Sequence, residues 1–305
     1  MPISVGVVGT GWVGASVAIS VLHAGFASEL LLADARHAVA EGEAMDLAHG
    51  AAFYETASVR AVDVGEMLHT DALVIAAGRG GKPNESRLDL LRENAATMRT
   101  LAAQLKGYRG LVIVVTNPVD VLTHVVSTSS GLPCERVIGT GTMLDTARLR
   151  QMLGHTLRLD PHSVHAHVVG EHGDSEVVLW SSAYVGGTPL REWPGWSAER
   201  EGPLATEVRT AAYEIIKRKG ATNHAIGLTT AALLRSALRD ERRVLTVSRV
   251  QTGALGLQDV ALSLPTVVDV DGAVDVIPPK MDAGEREALE RSAGVLRNAV
   301  GSLLS

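Results

Sequence analysis

A chain of 305 residues, 46% hydrophobic and 20% charged, is long enough to bury a sizeable core and too apolar for extensive disorder. Its formal net charge of -6 disfavours sequence-independent nucleic-acid binding, which clustered Lys and Arg drive by neutralising phosphates. One cysteine, Cys134, rules out an intrachain disulfide and a cysteine-rich metal site, and no apolar run approaches the roughly 20 residues needed to span a bilayer. The chain opens MPISVGVVG, a strand from almost the first residue with no signal-type segment, and this predicts a cytoplasmic protein.

Short, mostly apolar β-rich runs lie at residues 3–8, 30–33, 57–61, 72–76, 111–115 and 136–138. Apolar residues on both faces are what parallel strands covered by helices require. Segments 11–24, 36–50 and 87–105 between them carry apolar residues at helical spacing. Six such strands predict an α/β fold, a Rossmann-type doubly wound parallel sheet, over residues 1–143. From 144 the order changes to a helix, strands near 163–169 and 177–180, and helices at 204–219 and 222–238. Strands at 243–250, 260–268 and 270–277 follow, then an amphipathic helix from about 282 to the end. Residues 144–305 thus read as an α+β catalytic domain. No repeat or flexible linker separates the halves, so a cleft between them is expected. The run Lys217-Arg218-Lys219 is expected at a helix C-terminus, where cations offset the dipole.

Gly9-Thr10-Gly11-Trp12-Val13-Gly14 follows the first strand and opens a helix, the context that a dinucleotide fingerprint needs. Gly9 permits the tight turn, Gly11 admits a pyrophosphate to the backbone, and Gly14 allows close packing of helix on strand. Asp34 ends the second strand 20 residues after Gly14, where a carboxylate bonds the ribose hydroxyls of NAD and repels a 2'-phosphate. A helix N-cap is its alternative role, and Arg36 leaves some tolerance of NADP. The expected cofactor is NAD.

His172 stands in Gly170-Glu171-His172-Gly173-Asp174-Ser175, an exposed turn after a strand, and titrates closest to neutrality of the common side chains. Asp145 and Arg148, three apart, share a helix face. They form either a plain surface ion pair or a carboxylate that orients His172 beside a guanidinium that clamps a substrate carboxylate. Residues 78–87, with three glycines and several charges, read as a loop able to close over substrate and carry Arg87 inward, or as a surface turn.

Together the segments GTGWVG, AMDLAHG, AAGRGGKPNESRLDLLREN, TNPVDVLT, GTMLDTARLR, GEHGDSE, KGATNHAIG and VLTVS resemble the L-lactate and L-malate dehydrogenase family over essentially the whole chain. The resemblance leans toward the bacterial lactate dehydrogenases through GTMLDTARLR, GEHGDSE and Thr222. It implies His172 as proton donor, Asp145 as its partner, Arg148 as the carboxylate clamp and Arg87 as the group polarising the carbonyl. Asn117 is implied beside substrate and nicotinamide, with Thr222 and Ile226 nearby, in a reaction joining a 2-oxo acid and its L-2-hydroxy acid. Six residues before Arg87, the family's specificity position falls on Gly81, where lactate enzymes resemble one another in having Gln and malate enzymes in having Arg. Glycine there predicts a roomier pocket, with reduced selectivity or a bulkier or anionic substrate, oxaloacetate and phosphonopyruvate included. Arg79 or Lys82 could swing in to meet an anionic side chain. Arg150 and His165 match positions that bind fructose 1,6-bisphosphate at a subunit interface in many bacterial members, or persist there without an effector. A homotetramer or dimer of dimers is implied.

Other readings are blander. His165 and His167 alternate on one strand as a conceivable metal pair, but without a third ligand they are structural, and no metal is expected. Trp193 and Trp196 read as local packing, and Cys134 lacks a base. A non-catalytic dinucleotide-binding protein is the rival of another class, and an NAD-dependent glycosidase would need a metal-binding Cys and His that Cys134 does not supply.

Overall fold

The structure, a computed structural model, describes residues 2–80 and 86–303, and of Arg87 the backbone alone. Its first half alternates strand and helix: β1 (Ser4–Val8), α1 (Trp12–Ala24), β2 (Glu29–Ala33), α2 (His37–His49), β3 (Ser58–Ala61), β4 (Ala72–Ile75), α3 (Arg87–Gln104), β5 (Leu111–Val114), α4 (Val119–Ser130) and β6 (Val137–Gly139). The six strands are parallel and lie in the order β3-β2-β1-β4-β5-β6, the doubly wound sheet expected from the sequence. Successive side chains of one strand enter opposite cores: Leu73 and Ile75 pack with Met98 and Leu122 on one face, and Ala72 and Val74 with Val17 and Leu30 on the other. That two-sided burial is why these runs read as continuously apolar rather than alternating.

The second half contains α5 (Met143–Leu157), the two-residue strands β7 (Val164–His165), β8 (Val168–Val169), β9 (Val177–Val178), β10 (Tyr184–Val185) and β11 (Thr188–Pro189), then α6 (Glu201–Lys219) and α7 (His224–Leu238). It ends with β12 (Arg243–Thr252), β13 (Gln258–Asp269), β14 (Gly272–Val276) and α8 (Ala283–Gly301). Strands β12 to β14 form an antiparallel meander, and Ser248 of β12 pairs with Gly139 of β6, so one nine-stranded sheet crosses from the first half into the second. The hairpin of β10 and β11 gave no sequence signal of its own, since two residues are too few to show a period. Trp193 and Trp196 are partly buried against the core of this region, and the Trp196 ring lies 6.1 Å from that of Trp180.

One expectation is corrected. His165 ends β7 and β8 begins at Val168, so His165 and His167 do not share a strand face; His165 is exposed and His167 half-buried. Among the described residues no group of three or more His, Cys, Asp or Glu could hold a metal ion, and no helix is long and apolar enough to cross a membrane.

Candidate active site

The strand order reverses at β1 and β4, and an open sheet presents its crevice at such a switch point. There Gly9 has φ +93°, and a Cβ on it would lie 2.5 Å from the Ala77 backbone nitrogen. A Cβ on Gly14 would meet the Gly9 carbonyl oxygen at 1.8 Å, so α1 can approach β1 only with glycine at this position. Gly11 differs, since nothing lies within 4 Å of where its Cβ would be. It borders a cavity of about 530 Å³ lined also by Gly9, Asp34, Arg36, Asp63, Arg79 and Asn94. Gly11 caps α1 with no side-chain hydrogen bond, so the amides of the helix N-terminus stay available to an anion. Asp34 accepts hydrogen bonds from the Thr10 and Arg36 amides, at 2.9 and 3.0 Å, and does not cap α2, whose N-cap is Arg36. The open wall at Gly11, the helix end and the carboxylate fit the phosphates and ribose of NAD.

A second cavity, of about 630 Å³, is lined by Asn117, Asp145, Arg148 and His172 with Glu176 and Arg209 among others. Helix α5 supplies the anchor: Arg148 donates to Asp145 Oδ1 at 2.7 Å, and His172 Nδ1 lies 2.5 Å from Asp145 Oδ2. Asp145 is only 2% exposed, which separates this pair from an ordinary surface ion pair. Burial opposes its charge, yet the cations of His172 and Arg148 hold it below the usual carboxylate range. Burial likewise disfavours the imidazolium, but the Asp145 charge and hydrogen bond, helped by Asp120, outweigh it and raise His172 to about 9. With Nδ1 engaged by a carboxylate, Nε2 is the ring nitrogen able to exchange a proton with a substrate.

The loop carrying His172 is fixed from three directions. Gly170 bridges Ser263 of β13, Glu171 N donates to Ser292 of α8 at 2.8 Å, and His172 N donates to Asp120 of α4 at 2.7 Å. Asp120, buried enough to rise to about 6, was not singled out in the sequence, although it lies three residues after Asn117 in TNPVD. Glu176 and Arg209 were missed as well: Glu176 closes the GEHGDSE motif but carries no sign there that separates it from a structural charge, and Arg209 stands in no motif. Asn94 of α3 joins the two cavities, donating to the Arg79 and Asn117 carbonyls at 3.2 and 3.3 Å.

Other expected residues fall elsewhere. Thr222 is half-buried in the turn before α7 and Ile226 half-buried in its first turn against the core, and neither lines either cavity. Arg79 faces the cofactor cavity and pairs with Glu93. Gly81, Lys82 and the Arg87 side chain lie outside the described residues. Arg150 lines a separate cavity of about 270 Å³ with Arg243, His162 and His167, and donates to the Ala166 carbonyl at 3.0 Å; His165 is exposed beside Tyr184. Burial, with Arg150 and His165 nearby, lowers His167 to about 4.

A dinucleotide crevice joined by Asn94 to a cavity holding an Asp-oriented histidine and an arginine defines the class, an NAD-dependent oxidoreductase. The lactate/malate dehydrogenase NAD-binding domain matches residues 3–139, and the lactate/malate dehydrogenase alpha/beta C-terminal domain matches residues 142–304. The chain is 41% identical to an L-lactate dehydrogenase of Synechococcus sp. over 97% of its length and 98% of that protein's. It is 43% identical to one of Salinibacter ruber, covering 98% and 97% of the two chains. The minor L-lactate dehydrogenase of Enterococcus mundtii, solved in a ligands-bound form, superposes with a TM-score of 0.96 at 38% identity, covering 99% of this chain and 98% of that one. The chain belongs to the lactate/malate dehydrogenase family and is an L-lactate dehydrogenase-like, NAD-dependent L-2-hydroxyacid dehydrogenase.

Proposed function

We propose that the protein interconverts pyruvate and L-lactate, with a substrate range widened by Gly81. The observation that carries this reading is the cluster of His172, Asp145 and Arg148 on one cavity beside the dinucleotide crevice. Arg148 holds the substrate carboxylate as a two-pronged donor. His172, protonated at neutral pH, gives its Nε2 proton to the carbonyl oxygen as the C2 carbon is reduced, and Asp145 balances the imidazolium. Bound NADH supplies the reducing hydride. Arg87, at the start of α3 and directly after the glycine-rich stretch of sequence, is assigned to the carbonyl, and Asn117 to substrate and nicotinamide. Thr222 and Ile226 are assigned to the same neighbourhood on the family resemblance alone. The dinucleotide half is taken to end at 143 and the catalytic half to begin at 144.

The protein is read as a cytoplasmic homo-oligomer, a tetramer or dimer of dimers. An apolar surface supports the assembly: Trp12, Ile19, Met45 and Phe53 are all exposed on or beside α1 and α2. Arg150 and His165 are read as ligands for fructose 1,6-bisphosphate, a reading favoured by a second guanidinium, Arg243, lining the Arg150 cavity. The deciding test is NADH oxidation across pyruvate, oxaloacetate, branched and aromatic 2-oxo acids and phosphonopyruvate, with His172→Asn as the blank. A pyruvate maximum with measurable turnover of bulkier acids is expected. A maximum elsewhere refutes the pyruvate assignment, and a steep fall from pyruvate to every larger acid refutes the role given to Gly81.

A further inference from the structure

The motif GEHGDSE holds two glutamates with different surroundings. Glu171 accepts from both the amide and the hydroxyl of Ser175. Glu176 is 5% exposed, and its Oε1 has no hydrogen-bond partner. A turn closed by the Glu176 amide on the Gly173 carbonyl brings this second carboxyl back beside the histidine loop, where it lines the substrate cavity. The charged groups acting on it are Asp145 and Arg148 from α5, His172 from the loop, and Arg209 from α6.

We propose that Glu176 is a positioning residue of the substrate site that carries a proton when the 2-oxo acid binds, so that His172, Arg148 and Arg209 keep the positive balance that attracts the substrate carboxylate. Ionisation would put a second carboxylate next to Asp145 in a water-poor setting, with no donor hydrogen-bonded to Oε1. Burial, then the Asp145 charge, raise Glu176 to about 8, in keeping with a neutral acid at physiological pH. Above that pH the new charge opposes the anion that Arg148 must hold and strengthens the grip of His172 on its proton. The site then loses substrate affinity before His172 titrates.

This inference rests on the 2-oxo acid reading above and deepens it. Glu176→Gln fixes the neutral form at nearly equal volume. The probe is oxamate, an unreactive isostere of pyruvate, bound to the NADH-loaded enzyme between pH 6.5 and 9.5, each enzyme referred to its own affinity at pH 6.5. The unmodified enzyme is expected to lose about ten-fold more affinity over that range than Glu176→Gln, in line with one added charge beside the ligand. Parallel curves overturn the role of Glu176 while leaving the dehydrogenase reading intact, whereas failure of the unmodified enzyme to turn over pyruvate overturns both. A measurement on the unmodified enzyme alone guards against a variant that does not fold. With His172 near 9, only about a tenth of a proton is available to it at pH 8. Calorimetry of oxamate binding at pH 8, in two buffers of different ionisation heat, is expected to show uptake of several tenths of a proton; uptake of a tenth or less overturns the proposal.

Discussion

His172 is charged at neutral pH because the carboxylates at its two ends, Asp145 at Nδ1 and Asp120 at the backbone amide, outweigh the cost of burial. An imidazolium held at about 9 in the fold and near its ordinary value of 6.5 in the unfolded chain stabilises the fold fully below pH 6.5, and that contribution fades as pH rises through 9. At saturating pyruvate, where affinity no longer limits the rate, reduction needs the proton and is expected to fall above about pH 9, while lactate oxidation rises toward it. Asp145→Asn removes the chief raising influence and leaves burial, so the alkaline limb of kcat/KM for pyruvate is expected to move down by more than one pH unit. Activity at pH 7.5 should drop on the order of 100-fold. A pH–rate profile with an unmoved limb would show that Asp145 does not set the proton affinity of His172.

The first βα unit shows how an element is specialised position by position. Gly14 serves packing and Gly11 serves the ligand, because an added methyl meets the Gly9 carbonyl in one case and open space in the other. Gly14→Ala is expected to cost about 2 kcal/mol or more, as overpacking against backbone does, and a lowered Tm would register it. Gly11→Ala should keep its Tm yet bind NADH about ten-fold more weakly, since the methyl stands where pyrophosphate approaches. Equal effects of the two changes on stability would refute this division. At the far end of α6, Lys217, Arg218 and Lys219 occupy the last turn before Gly220 at φ +87°, the cationic C-terminus that the sequence predicted.

For the whole molecule, the apolar surface near α1 and α2 and the cationic cavity at Arg150 make separate predictions. Phe53 is 88% exposed, a poor place for an aromatic ring unless another surface covers it. Phe53→Glu is expected to lower the assembly mass seen by light scattering, and an unchanged mass would show that this face stays open. Adding fructose 1,6-bisphosphate at low pyruvate should reduce half-saturation, and Arg150→Gln should remove the response. A flat titration of the unmodified enzyme would leave Arg150 with a structural role alone.

Sequence by itself determined what depends on short range: the six parallel strands from their two-sided apolar runs, the glycine fingerprint with Asp34, and the Asp145–Arg148 pairing from helical spacing. These are legible because backbone period and turn geometry are set by neighbouring residues. Tertiary structure alone decided the contacts that neither a motif nor helical spacing announced. Asp120 reaches the His172 amide across 52 positions of sequence, Asn94 reaches the Asn117 carbonyl across 23, and β12 extends the parallel sheet by pairing with β6. It also interrupts the strand between His165 and His167, and it makes Glu176 a buried acid whose Oε1 has no hydrogen-bond partner while giving Glu171 the hydroxyl of Ser175. Such contacts leave no periodic trace in the chain, because burial and pairing are properties of the folded neighbourhood, and that neighbourhood sets the proton affinities on which the proposed chemistry depends.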